Sequence, residues 1–122
     1  MFAEHPYGDF ATALLVLDGK VRTSGGSEQD VEGFLASRRS FSGLVTSVSI
    51  ARPEARDFRY RKVSRIKPKG VSIMSIAAWL PQSAGRVGEA RIAFGAMGPT
   101  PLRANAAERA LSGASLERGS IE

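Results

Sequence analysis

Six cations stand within eleven residues, Arg59, Arg61, Lys62, Arg65, Lys67 and Lys69, with no acid among them. Clustered Lys and Arg are the residue types that neutralise phosphate. The same run also fits a solvated strand edge, or an anionic cofactor touched by one or two of its cations. Strand alternation from Phe58 to Val63 divides the run by face. Phe58, Tyr60 and Lys62 point one way, and Arg59, Arg61 and Val63 the other. Lys62 is therefore the cation on a semi-apolar face, where a lysine either snorkels to water or meets a ligand. A nucleic-acid or acidic protein partner for Arg59–Lys69 is the alternative reading. Nucleic acid is disfavoured, because Phe58 and Tyr60 are the only aromatics nearby and neither belongs to an RNA-binding signature.

The rest of the chain narrows the chemistry by exclusion. It has 122 residues, no cysteine and a single histidine, His5. Disulfides, Cys-ligated zinc, iron–sulfur clusters and a cysteine nucleophile are excluded within it. A metal site or histidine-based triad would rest on His5 alone, so no catalytic or metal-ligating set is expected. Neither G-x-G-x-x-G nor G-x-x-x-x-G-K-[ST] occurs, so no dinucleotide fingerprint or P-loop is present. Asp9 reads as a helix cap before a catalytic acid. The net charge is +5, yet outside the cationic run 11 basic residues face 12 acidic ones. No apolar stretch approaches the ~20 residues of a membrane span. Glu4, Pro6 and Asp9 do not resemble a leader, so a cytoplasmic location is expected.

The elements that must position these residues read as α+β. Asp9 as N-cap opens a helix with Phe10, Ala13, Leu14 and Leu17 at helical spacing, and Gly19 ends it. Lys20 to Thr23 is a strand and Ser24 to Ser27 a turn. Ser27 with Asp30 suggests a capping box for a helix that buries Val31, Phe34 and Leu35. In Leu44 to Ile50, Leu44, Thr46, Val48 and Ile50 share one face. Phe58 to Val63 is the next strand. Val71 to Leu80 is apolar on both sides; its β-branched residues and the Pro81–Gly85 turn favour a covered strand over a buried helix. Val87 to Met97 completes a hairpin, with Ala90, Ile92, Phe94 and Ala96 as its apolar face and Glu89 and Arg91 solvated. Thr100 and Pro101 start a helix lined by Leu102, Ala106 and Ala110, and Gly113 ends it. The expectation is a mainly antiparallel three-stranded sheet packed on a C-terminal helix, preceded by two short helices and strands. Ala114 to Glu122 is too short and polar to close a core, so the covering layer looks incomplete.

Three segments carry a family resemblance: YRKVSR from Tyr60, VSIMSIAA from Val71, and GRVGEARIAFGAMGPTPLRA from Gly85. Together with GDFATALLVLD from Gly8 and LVTSVSI from Leu44, they resemble the C-terminal part of the FAD-binding medium subunit of molybdenum hydroxylases. That family includes xanthine dehydrogenase and aerobic carbon monoxide dehydrogenase. The resemblance implies that 1–52 is the tail end of an FAD-binding α+β subdomain. It implies that 53–122 is a truncated domain like the CO dehydrogenase flavoprotein C-terminal domain. It implies FAD as cofactor, and an iron–sulfur subunit and a molybdenum-cofactor subunit as partners. In such enzymes electrons pass from iron–sulfur clusters through FAD to an external acceptor. The family's flavin contacts fall on Asp9, on Val45 in place of a leucine, and on Lys62. A fixed cation beside flavin N1 and the C2 carbonyl favours the anionic reduced ring. The family's glycine-rich pyrophosphate loops match nothing in this sequence, so the chain alone is not expected to hold FAD tightly.

Overall fold

A computed structural model describes residues 8–66 and 70–115 of the chain. His5, Lys67, Pro68, Lys69 and residues 116–122 lie outside the described residues. The element order is α1 (Asp9–Val16), β1 (Lys20–Thr23), β2 (Glu28–Asp30), α2 (Val31–Ser37), β3 (Val45–Ser49), β4 (Phe58–Ser64), β5 (Ser72–Trp79), β6 (Gln82–Ser83), β7 (Arg86–Val87), β8 (Arg91–Gly95), β9 (Leu102–Arg103) and α3 (Asn105–Leu111). The class is α+β, with antiparallel sheets and a C-terminal helix, as expected.

The sheets are ordered β2-β1-β3, β4-β5-β8-β9 and the small β6-β7 ribbon. The larger sheet has four strands where three were expected. Leu102 and Arg103 pair with Phe94 and Ala93 as β9, so the helix begins at Asn105 and not at Pro101. Two propensities compete here. Pro101 is a good first helical residue, but extended Leu102–Arg103 satisfies the open edge of β8.

The core is built around α1. Ala11, Thr12, Leu14, Leu15 and Val16 are buried, while Phe10 is 59% exposed. The expected stripe through Phe10 and Ala13 is therefore displaced. The helix lies between the four-stranded sheet and α2, so more than one stripe of it is buried. The sheet face beneath it carries small residues, with Ala77 and Ala93 both fully buried. A Cβ on Gly95 would collide with Ser75 Oγ and Thr12 Oγ1. Backbones approach this closely only where side chains are absent. Arg91 shares this inner face and stacks on Trp79 at 4.9 Å from the ring centroid, so it is not the solvated residue expected. The outer face holds Val63, Met74, Ile76, Phe94 and Leu102. α1, not the C-terminal helix, covers the inner face; α3 meets the sheet at β8, where Glu108 accepts from Ile92 N–H.

Local signals explain the helix ends. α1 closes with Gly19 N–H donating to Leu14 O at 2.9 Å, and Asp18 takes the left-handed residue at φ 52°. That is the Schellman arrangement with an aspartate where glycine is usual. α2 is capped by Asp30, whose Oδ1 accepts from Gly33 N–H at 2.6 Å. Ser27, the expected cap, instead shares a hydrogen bond with Thr23 Oγ1 at 2.8 Å. The three apolar residues expected of α2, Val31, Phe34 and Leu35, are buried.

β3 departs from simple alternation. Arg22 pairs with Ser47 and Thr23 with Val45, so Thr46 is the extra residue of a bulge. The bulge turns Val45 to the same side as Val48, and both pack against the core. Leu44 and Ile50, expected to share that face, are 67% and 46% exposed.

Candidate functional site

The polar cluster of greatest chemical interest lies where the first turn of α1 crosses β4 and β5. Asp9 is the first helical residue; Gly8 is the N-cap and contributes no side-chain bond. Asp9 therefore does not cap its helix as expected, although its charge still suits the helix N-terminus. Its carboxylate turns to the sheet. Lys62 Nζ donates to Oδ2 at 2.8 Å, and Ser72 Oγ donates to Oδ1 at 2.8 Å.

Each partner reaches this point for a local reason. Along β4, Phe58, Tyr60 and Lys62 face α1, as alternation predicted, and pair across to Trp79, Ala77 and Ser75. Phe58 and Tyr60 pack against the core, and Lys62 at the end of the row reaches beyond them to Asp9. Arg59 and Arg61 point away, and Arg59 is held by the carbonyls of Ala55 and Phe58. The cationic run is thus divided by the pleat.

The Lys62–Asp9 pair is half-exposed, with side-chain exposures of 32% and 38%. Burial pushes the Asp9 carboxyl up, but Lys62, Tyr60 and Ser72 together outweigh it and hold the group below the ordinary carboxylate value. The Tyr60 hydroxyl is buried toward Ser75 and Asp9 without completing a hydrogen bond to either. Burial pushes its pKa up to about 12, with the Asp9 charge adding to it and Ser75 opposing, so the phenol stays neutral. A cleft of about 500 Å³ adjoins the cluster through Ser72 and is lined also by Arg65, Ile66, Val71, Ile73 and Ala96.

The structure therefore joins Asp9 and Lys62, which lie 53 positions apart in sequence. Val45 is not part of this cluster. It sits in β3 opposite Thr23, half-buried on the core. Sequence reasoning missed Ser72 and the neighbouring Thr12 and Ser75 hydroxyls. No motif marks them, because their placement depends on a strand bulge and on the absence of a side chain at Gly95. Among the described residues no group of three or more His, Asp or Glu could hold a metal ion. Among them no helix is long and apolar enough to cross a membrane.

Residues 59–122 match the family model described as the CO dehydrogenase flavoprotein C-terminal domain. A search among curated proteins finds no match. Among solved structures, the chain is similar to carbon monoxide dehydrogenase from Hydrogenophaga pseudoflava, in a form lacking the Mo-pyranopterin moiety of its cofactor. The TM-score is 0.78 at 22% identity, over 98% of this chain and 44% of that one. It is similar to reconstituted CO dehydrogenase from Oligotropha carboxidovorans, with TM-score 0.83 at 21% identity, covering 98% and 44%. Quinoline 2-oxidoreductase from Pseudomonas putida 86 gives TM-score 0.79 at 20% identity, covering 96% and 43%. The chain spans less than half the length of these structures, and at this identity the likeness is one of fold.

Proposed function

Because the chain belongs to the family of the CO dehydrogenase flavoprotein C-terminal domain, we propose that it is part of an FAD-binding subunit of a molybdenum-containing hydroxylase. In this reading residues 1–52 are the end of the FAD-binding subdomain and 53–122 the C-terminal domain. The partners are an iron–sulfur subunit and a molybdenum-cofactor subunit, in the cytoplasm. The subunit relays electrons from the iron–sulfur clusters to an external acceptor. FAD, when bound, supplies the two-electron to one-electron exchange that such a relay needs.

The observation that carries the reading is the Lys62–Asp9 pair at the α1–β4 crossing, joined through Ser72 to a neighbouring cleft. The donor set fits the polar edge of a flavin ring. With FAD bound, Lys62 would offer an N–H donor and Asp9 a carboxylate acceptor to that edge. Val45 is the third proposed contact by the family resemblance alone, and it lies in β3 outside the Asp9–Lys62 cluster. No glycine-rich loop in the sequence cradles a pyrophosphate, so tight retention of FAD falls to the assembled flavoprotein and not to this chain alone.

The test is the flavin content of a complex in which the glycine-rich FAD-binding segment, this chain and the iron–sulfur and molybdenum subunits are assembled together. The reading expects flavin absorbance in the wild-type complex and its loss or a changed potential in Lys62→Gln. A half-exposed ion pair contributes only about 0–1 kcal/mol to stability, so such a loss would not reflect unfolding. A complex that assembles without flavin overturns the reading. So does salt-dependent DNA binding that disappears when Arg59, Arg61 and Arg65 are neutralised.

A further inference from the structure

The two oxygens of Asp9 are held by very different groups. Lys62 reaches Oδ2 on a long, flexible stem that is 32% exposed. Ser72 reaches Oδ1 on a short side chain, and the residue is only 3% exposed. Ser72 faces α1 because of an irregularity in the β4–β5 pairing. Val63 pairs with Met74 and Ser64 with Ser72, which leaves Ile73 as the extra residue. Ile73 turns outward and is 53% exposed. In unbroken alternation Ser72 would share the outer face with Met74. The bulge thus delivers one buried hydroxyl to one carboxylate oxygen.

We propose that Ser72 is the positioning residue of the Asp9 carboxylate, holding it in place so that Lys62 can turn to a ligand without releasing Asp9. The cluster then consists of a fixed acceptor and a movable donor. Its use rests on the flavin-edge reading, whereas the hold of Ser72 on Asp9 rests on geometry alone. The polar groups facing Asp9 from the elements packed on it are Lys62 and Tyr60 from β4 and Ser72 from β5. The first turn of α1 adds no second charge, with Phe10, Ala11 and Thr12 following Asp9.

The test is an NMR titration of the Asp9 carboxyl carbon in the full chain, without flavin. Ser72→Ala is expected to raise the Asp9 midpoint although Lys62 is intact. Ser72→Thr, which keeps the hydroxyl, is expected to bring the midpoint back toward wild type. Lys62→Gln removes the largest lowering contact and is expected to raise the midpoint, and adding Ser72→Ala to it is expected to raise the midpoint further. A Ser72→Ala midpoint equal to wild type overturns the proposal, as does a Ser72→Thr midpoint equal to that of Ser72→Ala. Should Ser72→Ala fail to fold by circular dichroism, Ser72→Cys decides: its weak S–H donor is expected to raise the midpoint, and a midpoint equal to wild type overturns the proposal. Flavin plays no part in this titration. A flavin-free complex alongside the expected midpoints would sink the functional reading and leave the role of Ser72 standing.

Discussion

At the scale of single residues, Glu108 has the highest structural stake outside the Asp9 cluster. It is 8% exposed. Its Oε1 accepts from Arg103 Nε at 2.6 Å and from Ile92 N–H at 2.8 Å, and its Oε2 accepts from Arg103 Nη2 at 2.8 Å. The carboxylate stands in for a strand partner, taking the amide of Ile92 that a longer β9 would have met. Glu108→Ala leaves that amide and a partly buried guanidinium unpaired. The expected loss is about 2–3 kcal/mol, as for a hydrogen bond to a charged group, read from the urea midpoint. Glu108→Gln keeps an acceptor for Ile92 and is expected to lose less. Burial raises the Glu108 carboxyl, but Arg103 and the Ile92 amide outweigh it and hold the group below its ordinary value. Asp9 is lowered likewise. A carboxyl lowered in the folded state contributes stability that is present above its unfolded value and is lost as pH falls through the folded one. The ordinary values here are 4.5 and 3.8. Stability is therefore expected to decline as pH drops below about 4. The decline should be shallower in Asp9→Asn and in Glu108→Gln, as measured by urea melts from pH 6 to pH 2.5.

At the scale of elements, the close seat of α1 on the sheet depends on Gly95. Gly95→Ala forces a methyl against Thr12 and Ser75, and the expected cost is about 1–3 kcal/mol, as for overpacking. Because the helix must lift, the same variant should weaken the Lys62–Asp9 contact, visible as an upward shift of the Asp9 titration. The C-terminal end of α1 offers the opposite case. Asp18 holds φ 52°, and its ion pairs to Lys20 and Arg91 are long, at 3.8 and 3.9 Å. Asp18→Gly is expected to raise stability by about 0.5–1 kcal/mol through relief of left-handed strain, seen as a higher Tm.

At the scale of the whole molecule, the four-stranded sheet is covered unequally. α1 closes the inner face, while on the outer face Met74, Ile76 and Phe94 are only partly buried. Val63 is 52% and Leu102 45% exposed. An apolar patch of this kind promotes association. The chain is expected to self-associate as its concentration rises in sedimentation velocity. Val63→Lys with Leu102→Lys should suppress this while changing stability by less than about 0.5 kcal/mol for each exposed site.

The sequence by itself determined the local periods and therefore the class. Alternation in Phe58–Val63 placed Lys62 beside Tyr60, and the apolar spacing of Val31, Phe34 and Leu35 marked α2. Those patterns are written in neighbouring residues and survive any tertiary arrangement. Only the tertiary structure decided the rest. It chose α1 as the helix that covers the sheet, drew Leu102 and Arg103 into a fourth strand, and turned Val45 and Ser72 inward through bulges. It also brought Asp9 to Lys62 across 53 positions. Bulges and close helix–sheet contacts follow from the pairing of distant strands and the space left at Gly95, and residues separated in sequence do not reveal these until the backbone brings them together.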